Sequence, residues 1–501
     1  MPSFFKRPTP APSWRRLLLG AAAVVLVLVV GMVLARAALT RLAINRLLRM
    51  AGASEITFQV TAATPWNIAV ENLSFRVRTQ SVAAQRVSLH RAHWWTPSLG
   101  AVKVEQARVP LTIDGSDVNP WAWSHYQNGT AQVAPWKIPA EDISLDGEMI
   151  FKAAVLPDQV VKLQLAARPG EGKIWHGQAS AEGTGLGVKA EGTLNPATNE
   201  LTFRVTEAAL DLQRWQAFAQ RVILLPGGAW ELAGKFQGSA EGRWAGKVFA
   251  ATAHVQLREG RAANAERGVA VEGVEADLEF TDLDQVVTKP GALRVRSLQV
   301  GQVALRAIDA EIALESASRL SVTRAKLQTL GGSVTAEPFK YYFNQRQLDV
   351  VLRAENISVE EVMALTKDLP AKASGRVDGR LPIHIDEGGF RLGTGWLALT
   401  PGVAAQIQFN AAGLLTNGVA ANSPSYSVLK KLESGLLQLK VGEMRLVIRP
   451  PDSPAGRSAQ LHVSGEPVDP TVKAPVTLDL NVNGPLEKLL NLGLDSRVSF
   501  K

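Results

Sequence analysis

The sequence has no cysteine among its 501 residues. This absence excludes disulfide frameworks, thiolate-ligated zinc sites and cysteine nucleophiles. It does not indicate a compartment, because a chain without thiols behaves alike in oxidising and reducing surroundings. The length suffices for several domains with cores of their own, so stability does not depend on covalent or metal cross-links.

Acidic residues are absent from the first 54 positions, and Glu55 is the first of them. The same segment contains eight lysines and arginines, while the whole chain has 54 of these against 46 acids. The formal charge of +8 therefore belongs to residues 1–54, and the remaining chain is formally neutral. A neutral body lacks the basic surface that nucleic-acid binding needs, so we expect no nucleic-acid partner.

A single long apolar run, Leu17–Ala35, contains 19 residues and no charge. At about 1.5 Å per residue it would cross a hydrocarbon layer of roughly 30 Å, so the sequence predicts a transmembrane helix. No second run approaches this length, which excludes a multi-span transporter. A cleaved signal peptide is the alternative, because Ala35-Arg36-Ala37 resembles a cleavage site. However, the run is longer than the roughly 7–15 apolar residues of a signal peptide.

The residues that flank this run predict its orientation. A short basic tail usually stays in the cytoplasm while a long downstream domain is exported. We therefore expect residues 1–13 to be a cytoplasmic tail and residues 14–50 to form the transmembrane helix with a juxtamembrane extension. The chain is predicted to be a single-pass protein of the inner membrane of a Gram-negative bacterium, with its bulk in the periplasm.

Alternating apolar and polar residues dominate the chain after residue 54. Such alternation predicts β-strands with one apolar and one polar face. Dipeptides typical of tight turns separate the runs. These dipeptides are Asp114-Gly115, Asn128-Gly129, Asp146-Gly147, Asp378-Gly379, Asn417-Gly418 and Asn483-Gly484. The regular spacing predicts a mainly β protein with one elongated antiparallel sheet, while two or three β-sandwich domains are the alternative.

A few segments have helical patterns instead. Leu210–Ile223 and Ser425–Leu439 are candidates for helices. Ser358 and Glu361 have the spacing of a capping box, which predicts a short helix after them. Pro485 suits the first turn of another short helix that ends at Leu490.

Motifs for catalysis or metal binding are incomplete. His90 and His93 are three residues apart, and on a strand they would face opposite sides. Ser427 and Lys430 match a short penicillin-binding signature whose companion elements are missing. No phosphate-binding loop occurs either. We therefore expect a protein that is not an enzyme and that has no catalytic residues, no cofactor and no metal.

Several glycine-rich phrases of the C-terminal half resemble the YdbH-like family of AsmA-like intermembrane phospholipid transport proteins. They are Leu330-Gly331-Gly332, Asn356–Glu360, Ser374–Pro382, Gly388-Gly389, Gly393–Leu397, Thr400-Pro401-Gly402 and Pro475–Leu490. The resemblance extends from about Arg294 to the end of the chain. It implies a β-rich C-terminal domain over residues 291–501, which in this family carries an older label, dicarboxylate transport. Residues 51–290 would form the N-terminal part of the same groove.

The resemblance also implies a function. In this family a bent sheet is expected to form an apolar groove along which phospholipids move between the inner and outer membranes. Alternation shows two faces without showing which is concave, so the groove candidates are the apolar residues of clear alternating runs. They are Ile56, Phe58, Val60, Leu73, Phe75, Val77, Leu446 and Ile448.

The partners implied by the resemblance are phospholipids, the inner membrane and a small outer-membrane lipoprotein at the C-terminal end. Arg497–Lys501 is the candidate edge to which such a lipoprotein would add strands. Two other functions stay open at this point. An assembly or scaffold factor for outer-membrane proteins would bind its clients by β-strand addition. A dicarboxylate carrier would need a basic intramembrane site, which a single apolar span does not provide.

Overall fold

The computed structural model of the protein describes residues 36–46, 48–49, 53–64, 66–77, 80–91, 99–112, 140–152, 158–216, 230–246, 248–301, 303–343, 345, 347–364, 371–386, 389–409, 413, 416–449 and 458–482. The predicted span Leu17–Ala35, the predicted helix from Pro485 to Leu490 and the segment Arg497–Lys501 lie outside these ranges. Within them, no helix combines the length and the apolar character needed to cross a membrane.

The described residues are mainly β, as predicted, and belong to two compact units. The first lies within Met1–Asp114, Val133–Thr184 and Glu191–Asn199, and the second within Gly185–Ala190 and Glu200–Lys501. The domain boundary predicted near residue 290 falls inside the second unit, and that division of the chain stays a prediction.

Seven strands with alternating apolar residues belong to the first unit. They are β1 (Ala53–Ala63), β2 (Asn67–Val77), β3 (Gln80–His90), β4 (Leu99–Thr112), β5 (Ala140–Lys152), β6 (Gln159–Pro169) and β7 (Trp175–Gly183). A 3₁₀ turn, Glu171–Lys173, separates β6 from β7. Each strand pairs with the next, so the order of strands in the sheet follows the order in the chain.

The pairing of β4 with β5 corrects the prediction of an entirely antiparallel sheet, because these two strands run parallel. A parallel pair needs a connection of about a dozen residues or more, and residues 113–139 separate the two strands. Alternation could not reveal the direction, since side chains alternate with a period of 2 in both kinds of pair.

The second unit contains most of the remaining strands, and β8 (Leu186–Asn195) has residues in both units. The others are β9 (Glu200–Asp211), β10 (Glu231–Ala245), β11 (Val248–Asn264), β12 (Val269–Asp282), β13 (Val287–Thr288), β14 (Gly291–Val300), β15 (Val303–Ser316), β16 (Arg319–Thr329), β17 (Gly332–Ala336), β18 (Phe339–Tyr342), β19 (Leu348–Ser358), β20 (Ala371–Ser374), β21 (Arg376–Asp386), β22 (Gly389–Leu392), β23 (Gly395–Leu399), β24 (Ala405–Phe409), β25 (Gln438–Ile448), β26 (Ala459–Pro467) and β27 (Val476–Val482).

The longer strands of this unit form one antiparallel ladder. Its order is β9-β10-β11-β12-β14-β15-β16-β17-β19-β21-β23-β25-β26-β27. Short strands pair beside it: β13 with β12, β18 with β16, β22 with β21, and β20 with β24, which also pairs with β25. At a strand spacing of about 4.8 Å, the ladder from β9 to β27 is roughly 60 Å wide.

Three helices are described: α1 (36–46), α2 (Val359–Ala364) and α3 (Pro424–Leu437). The predicted cap of α2 is present, because the backbone N–H of Glu361 donates to the Ser358 hydroxyl at 3.3 Å. Helix α3 begins after Ser423, whose side chain accepts from the backbone N–H of Ser425. Both predicted helices are confirmed.

The predicted helix Leu210–Ile223 is wrong at its start. Leu210 and Asp211 end β9, and residues 212–215 form a turn. Leu210 lies opposite Phe236 of β10, so cross-strand pairing decides the conformation here rather than helical spacing. Gln216 is helical, and residues 217–223 lie outside the described ranges.

Two of the predicted turns are also wrong, because Asp146-Gly147 lies inside β5 and Asp378-Gly379 lies inside β21. A Cβ on Gly147 would lie 2.7 Å from the Cβ of Ala107 on the neighbouring strand. These glycines therefore permit a close approach of strands instead of a turn. Asn417-Gly418 does form a turn, in which Gly418 has a φ of 84°.

Fully buried side chains are few among the described residues, and the largest are Leu439, Val161, Val463 and Asn264. Two small buried clusters lie in the second unit. One contains Val334, Ala354, Ile357, Val359 and Val377, and the other contains Ala405, Ile407, Val441 and Val463. Most other apolar side chains of the strands are half-buried, as expected for a sheet face without a second layer packed on it.

Candidate functional site

Cross-strand registers align the apolar residues of the first unit into continuous rows. One row crosses all seven strands through Val60, Val70, Val87, Val104, Leu145, Leu165 and Ala179. A second row on the same face passes through Leu73, Ala84, Ala107, Gly147, Leu163 and Ala181. The unit thus presents one face made of hydrocarbon side chains.

The second unit has the same organisation over more strands. One row passes through Leu210, Phe236, Leu257, Ala276, Leu293, Ala310, Ala325, Ala336, Leu352 and Leu381. The next row on this face passes through Leu327, Val334, Ala354, Gly379, Leu397, Leu446, Leu461 and Leu480. We call this surface of the second unit the apolar lane.

Seven of the eight predicted groove residues have described side chains. In the first unit, Ile56, Phe58, Val60, Leu73 and Phe75 share the apolar face of β1 and β2, and Phe58 is buried. Val77 ends β2 opposite Ala53. In the second unit, Leu446 and Ile448 lie on the apolar lane in β25, where Ile448 is buried opposite Gly395.

Bulges keep the apolar residues on one face where simple alternation would move them to the other. Asn72 has a φ of 54° and lies between Val70 and Leu73, which both belong to the apolar rows. The same change of parity occurs at Gln106, whose φ is 50°. A single residue in the left-handed region adds one position to its strand, so even-numbered apolar residues are followed by odd-numbered ones on the same face.

Glycines within the strands indicate which face of the second unit is concave. A Cβ on Gly379 would lie 2.2 Å from the carbonyl oxygen of Trp396, and a Cβ on Gly242 would lie 2.6 Å from the Cβ of Ala251. A Cβ on Gly465 would lie 2.6 Å from the carbonyl oxygen of Lys440. All three sites face the apolar lane, where neighbouring strands therefore converge. A sheet bends toward the side on which its strands converge, so the lane is the concave face at these strands.

The opposite face of the same strands is charged. One register row passes through Glu275, Arg294, Asp309, Lys326, Thr335, Arg353 and Arg380. The Nε atoms of Arg353 and Arg380 lie 3.0 and 3.2 Å from the carboxylate of Glu337. Hydrogen bonds from Arg380 and then Arg353 hold the pKa of Glu337 below its ordinary value. Charged groups thus hold adjacent strands together on the solvent side.

The lowered pKa of Glu337 predicts a pH dependence of stability. Its ion pairs stabilise the folded chain above the ordinary carboxyl pKa, and this stabilisation disappears as the pH falls through the lowered pKa. We expect Glu337→Gln to lower the unfolding midpoint slightly at neutral pH and to match the wild type in strong acid. Glu355→Gln is the control, because the exposed Glu355 lies opposite Ser333. Equal pH profiles for wild type and Glu337→Gln would contradict the prediction.

Among the residues considered for catalysis, Ser427 has a structural contact. The Ser427 hydroxyl donates to the carbonyl oxygen of Pro424 at 3.2 Å, within the first turn of α3. His90 is exposed at the end of β3, and His93 lies outside the described ranges. No group of three or more potential metal ligands occurs in the part of the chain that the structure describes.

These observations define a mainly β protein whose two units each present one apolar sheet face. A family model for the YdbH-like intermembrane phospholipid transport protein YdbH matches residues 111–403. Because this match covers more than half of the sequence, the chain belongs to the YdbH-like family, as its glycine-rich phrases predicted. The match begins well before Arg294, so the family similarity includes strands of both units, and it ends at residue 403, so it does not include the phrase Pro475–Leu490. No curated protein and no solved structure matches the chain significantly.

Proposed function

We propose that the protein carries phospholipids between the inner and outer membranes, with their acyl chains on the apolar sheet faces. The observation that carries this proposal is the alignment of apolar residues into rows that continue from strand to strand. Each methylene shielded from water stabilises the bound lipid by about 0.8 kcal/mol. A continuous row offers nearly equal contacts at every step, so a chain can slide without leaving hydrocarbon.

The dimensions of the lane agree with this role. A lipid chain is about 15 Å long, half of a hydrocarbon layer of roughly 30 Å. The ladder of the second unit is about 60 Å wide, which gives room for several lipids in succession. Headgroups would stay in water beyond the strand ends, and the formally neutral body would not trap them electrostatically.

An N-terminal membrane anchor is part of the proposal. Leu39 and Leu42 of α1 are 57% and 67% exposed, and the helix carries Arg36, Arg41 and Arg46 without any acid. Apolar and basic side chains in this combination suit the headgroup region beside a membrane span. Leu17–Ala35 would form that span in the inner membrane and place the sheets in the periplasm. A small outer-membrane lipoprotein would pair with the C-terminal end.

Photo-crosslinking tests where the lipid lies. A photoreactive phenylalanine at Leu293, on the lane, should form phospholipid adducts that mass spectrometry detects in the full chain. The matched control is the adjacent Ala292, which is exposed on the charged face of the same strand. We expect adducts at 293 and essentially none at 292.

The alternative function, a scaffold for outer-membrane proteins, predicts different crosslinked products in this experiment. A scaffold for outer-membrane proteins would give adducts with polypeptides, concentrated at edge strands instead of the lane. Equal labelling at 292 and 293, or labelling by protein alone, would overturn the proposal of lipid carriage.

A further inference from the structure

One stretch of the apolar lane is covered by helix α2. Val334 of β17 and Ala354 of β19 lie opposite each other in a lane row and are only 8% and 6% exposed. Leu480, in the same row at β27, is 43% exposed. Val362 and Met363 of α2 pack against the buried cluster that contains Val334 and Ala354. Helix α2 thus makes the hydrocarbon contact here that an acyl chain would make on an open stretch.

The two sides of α2 differ in polarity. Val359, Val362 and Met363 are spaced by three and four residues, so they share one side of the helix, and this side faces the buried cluster. Glu360 and Glu361 are exposed on the other side. The helix therefore has one side suited to water and one side suited to the lane.

Hydrogen bonds fix the beginning of α2 to neighbouring strands. The backbone N–H of Ser358 donates to the carbonyl oxygen of Leu330 at 2.8 Å, and the backbone N–H of Val359 donates to the carbonyl oxygen of Gly375 at 3.0 Å. The side chains that face the lane further along the helix are apolar. The helix can therefore lift about Ser358 without breaking the hydrogen bonds at its beginning.

We propose that α2 is a gate of the lane, which lifts off Val334 and Ala354 when an acyl chain passes. The proposal rests on lipid carriage along the lane. A passing chain replaces the contacts of Val362 and Met363 with hydrocarbon contacts of its own, so the exchange is nearly balanced. A gate requires this balance, because neither the closed nor the open arrangement is then strongly favoured.

The absence of cysteine allows spin labels to be attached at two chosen positions of the full chain. Glu360→Cys with Lys326→Cys gives the distance from the outer side of α2 to the charged face of β16 by pulsed electron spin resonance. The chain is kept in a steroid detergent, which has no acyl chains, and phosphatidylglycerol is then added. The distance should lengthen by about 4 Å, the thickness of one hydrocarbon contact.

The matched control is Glu275→Cys with Lys326→Cys. Both residues are exposed and lie in one register row of the charged face, three strands apart. Their separation should not change when phosphatidylglycerol is added, since neither residue belongs to α2.

Truncation of the cover is the second test. Val362→Ala combined with Met363→Ala leaves less hydrocarbon for a lipid to displace, so we expect this full-chain variant to transfer a fluorescent phospholipid between vesicles several-fold faster than the wild type. Glu360→Ala, on the outer side of the same helix, should transfer at the wild-type rate. Thermal unfolding shows whether the double variant is folded, and the distance measurement decides if it is not.

An unchanged distance between positions 360 and 326, or equal lengthening in both labelled pairs, would overturn the gate. Wild-type or slower transfer by a folded double variant would overturn it as well. Lipid carriage is judged separately by Leu446→Glu on the lane. If that substitution slows transfer while α2 stays in place, only the gate is wrong, whereas equal transfer by Leu446→Glu and Val447→Glu refutes lipid carriage itself.

Discussion

Leu446→Glu is expected to slow lipid movement along the lane strongly without unfolding the protein. Leu446 lies between Leu397 of β23 and Leu461 of β26 in one apolar row. A carboxylate there would have to lose its water whenever an acyl chain passed. A charge on a lipid-facing strand costs about 2 kcal/mol, which corresponds to a roughly 30-fold slower passage. The measurement is transfer of a fluorescent phospholipid between vesicles by the full chain.

The matched control for Leu446→Glu is Val447→Glu. Val447 is the next residue of β25, is similarly half-buried, and lies on the opposite face between Trp396 and Gln460. The substitution Val447→Glu introduces the same charge at a neighbouring, similarly half-buried position of β25, but on the face opposite the lane. We expect near wild-type transfer for this variant, and thermal unfolding should show that both variants are folded. Equal transfer by the two variants would rule out the lane as the route of the lipid.

Much of the fold could be predicted from alternation. The runs Ile56-Phe58-Val60 and Leu73-Phe75 are adjacent strands on one apolar face. These residues share a face because the side-chain period of a strand is 2, a property that the sequence displays directly. The short helix α2 was equally visible, since the capping residue Ser358 acts over a few residues of local sequence.

The concave side and the continuity of the rows could not be predicted in this way. Both depend on the register, that is, on which residues of neighbouring strands lie opposite each other. The bulges at Asn72 and Gln106 each change the register by one position, and neither residue has a sequence signal typical of bulges. The parallel pairing of β4 with β5 is a long-range choice of the same kind. Glycines between apolar residues, such as Gly242 and Gly379, were the available signal for close approach. Aspartate before Gly379 made a turn the more obvious interpretation.

Gly379→Ala is expected to destabilise the second unit strongly. The added Cβ would lie 2.2 Å from the carbonyl oxygen of Trp396 and 2.5 Å from Cδ2 of Leu397. The oxygen belongs to the backbone of β23, so relief requires that β21 and β23 move apart. Overpacking of this kind costs about 1–3 kcal/mol, and a clash with backbone belongs at the upper end. The unfolding midpoint in urea, followed by circular dichroism, measures the loss.

Gly187→Ala is the matched control, because it makes the same change inside strand β8 where no atom would lie within 4 Å of the new Cβ. We expect its midpoint to stay at the wild-type value or rise slightly, since alanine restricts the unfolded chain more than glycine does. The difference between the two variants then isolates the close approach of strands at Gly379. If both variants unfold at the same urea concentration, the strands do not converge there, and the concave curvature assigned to the lane is wrong at this point.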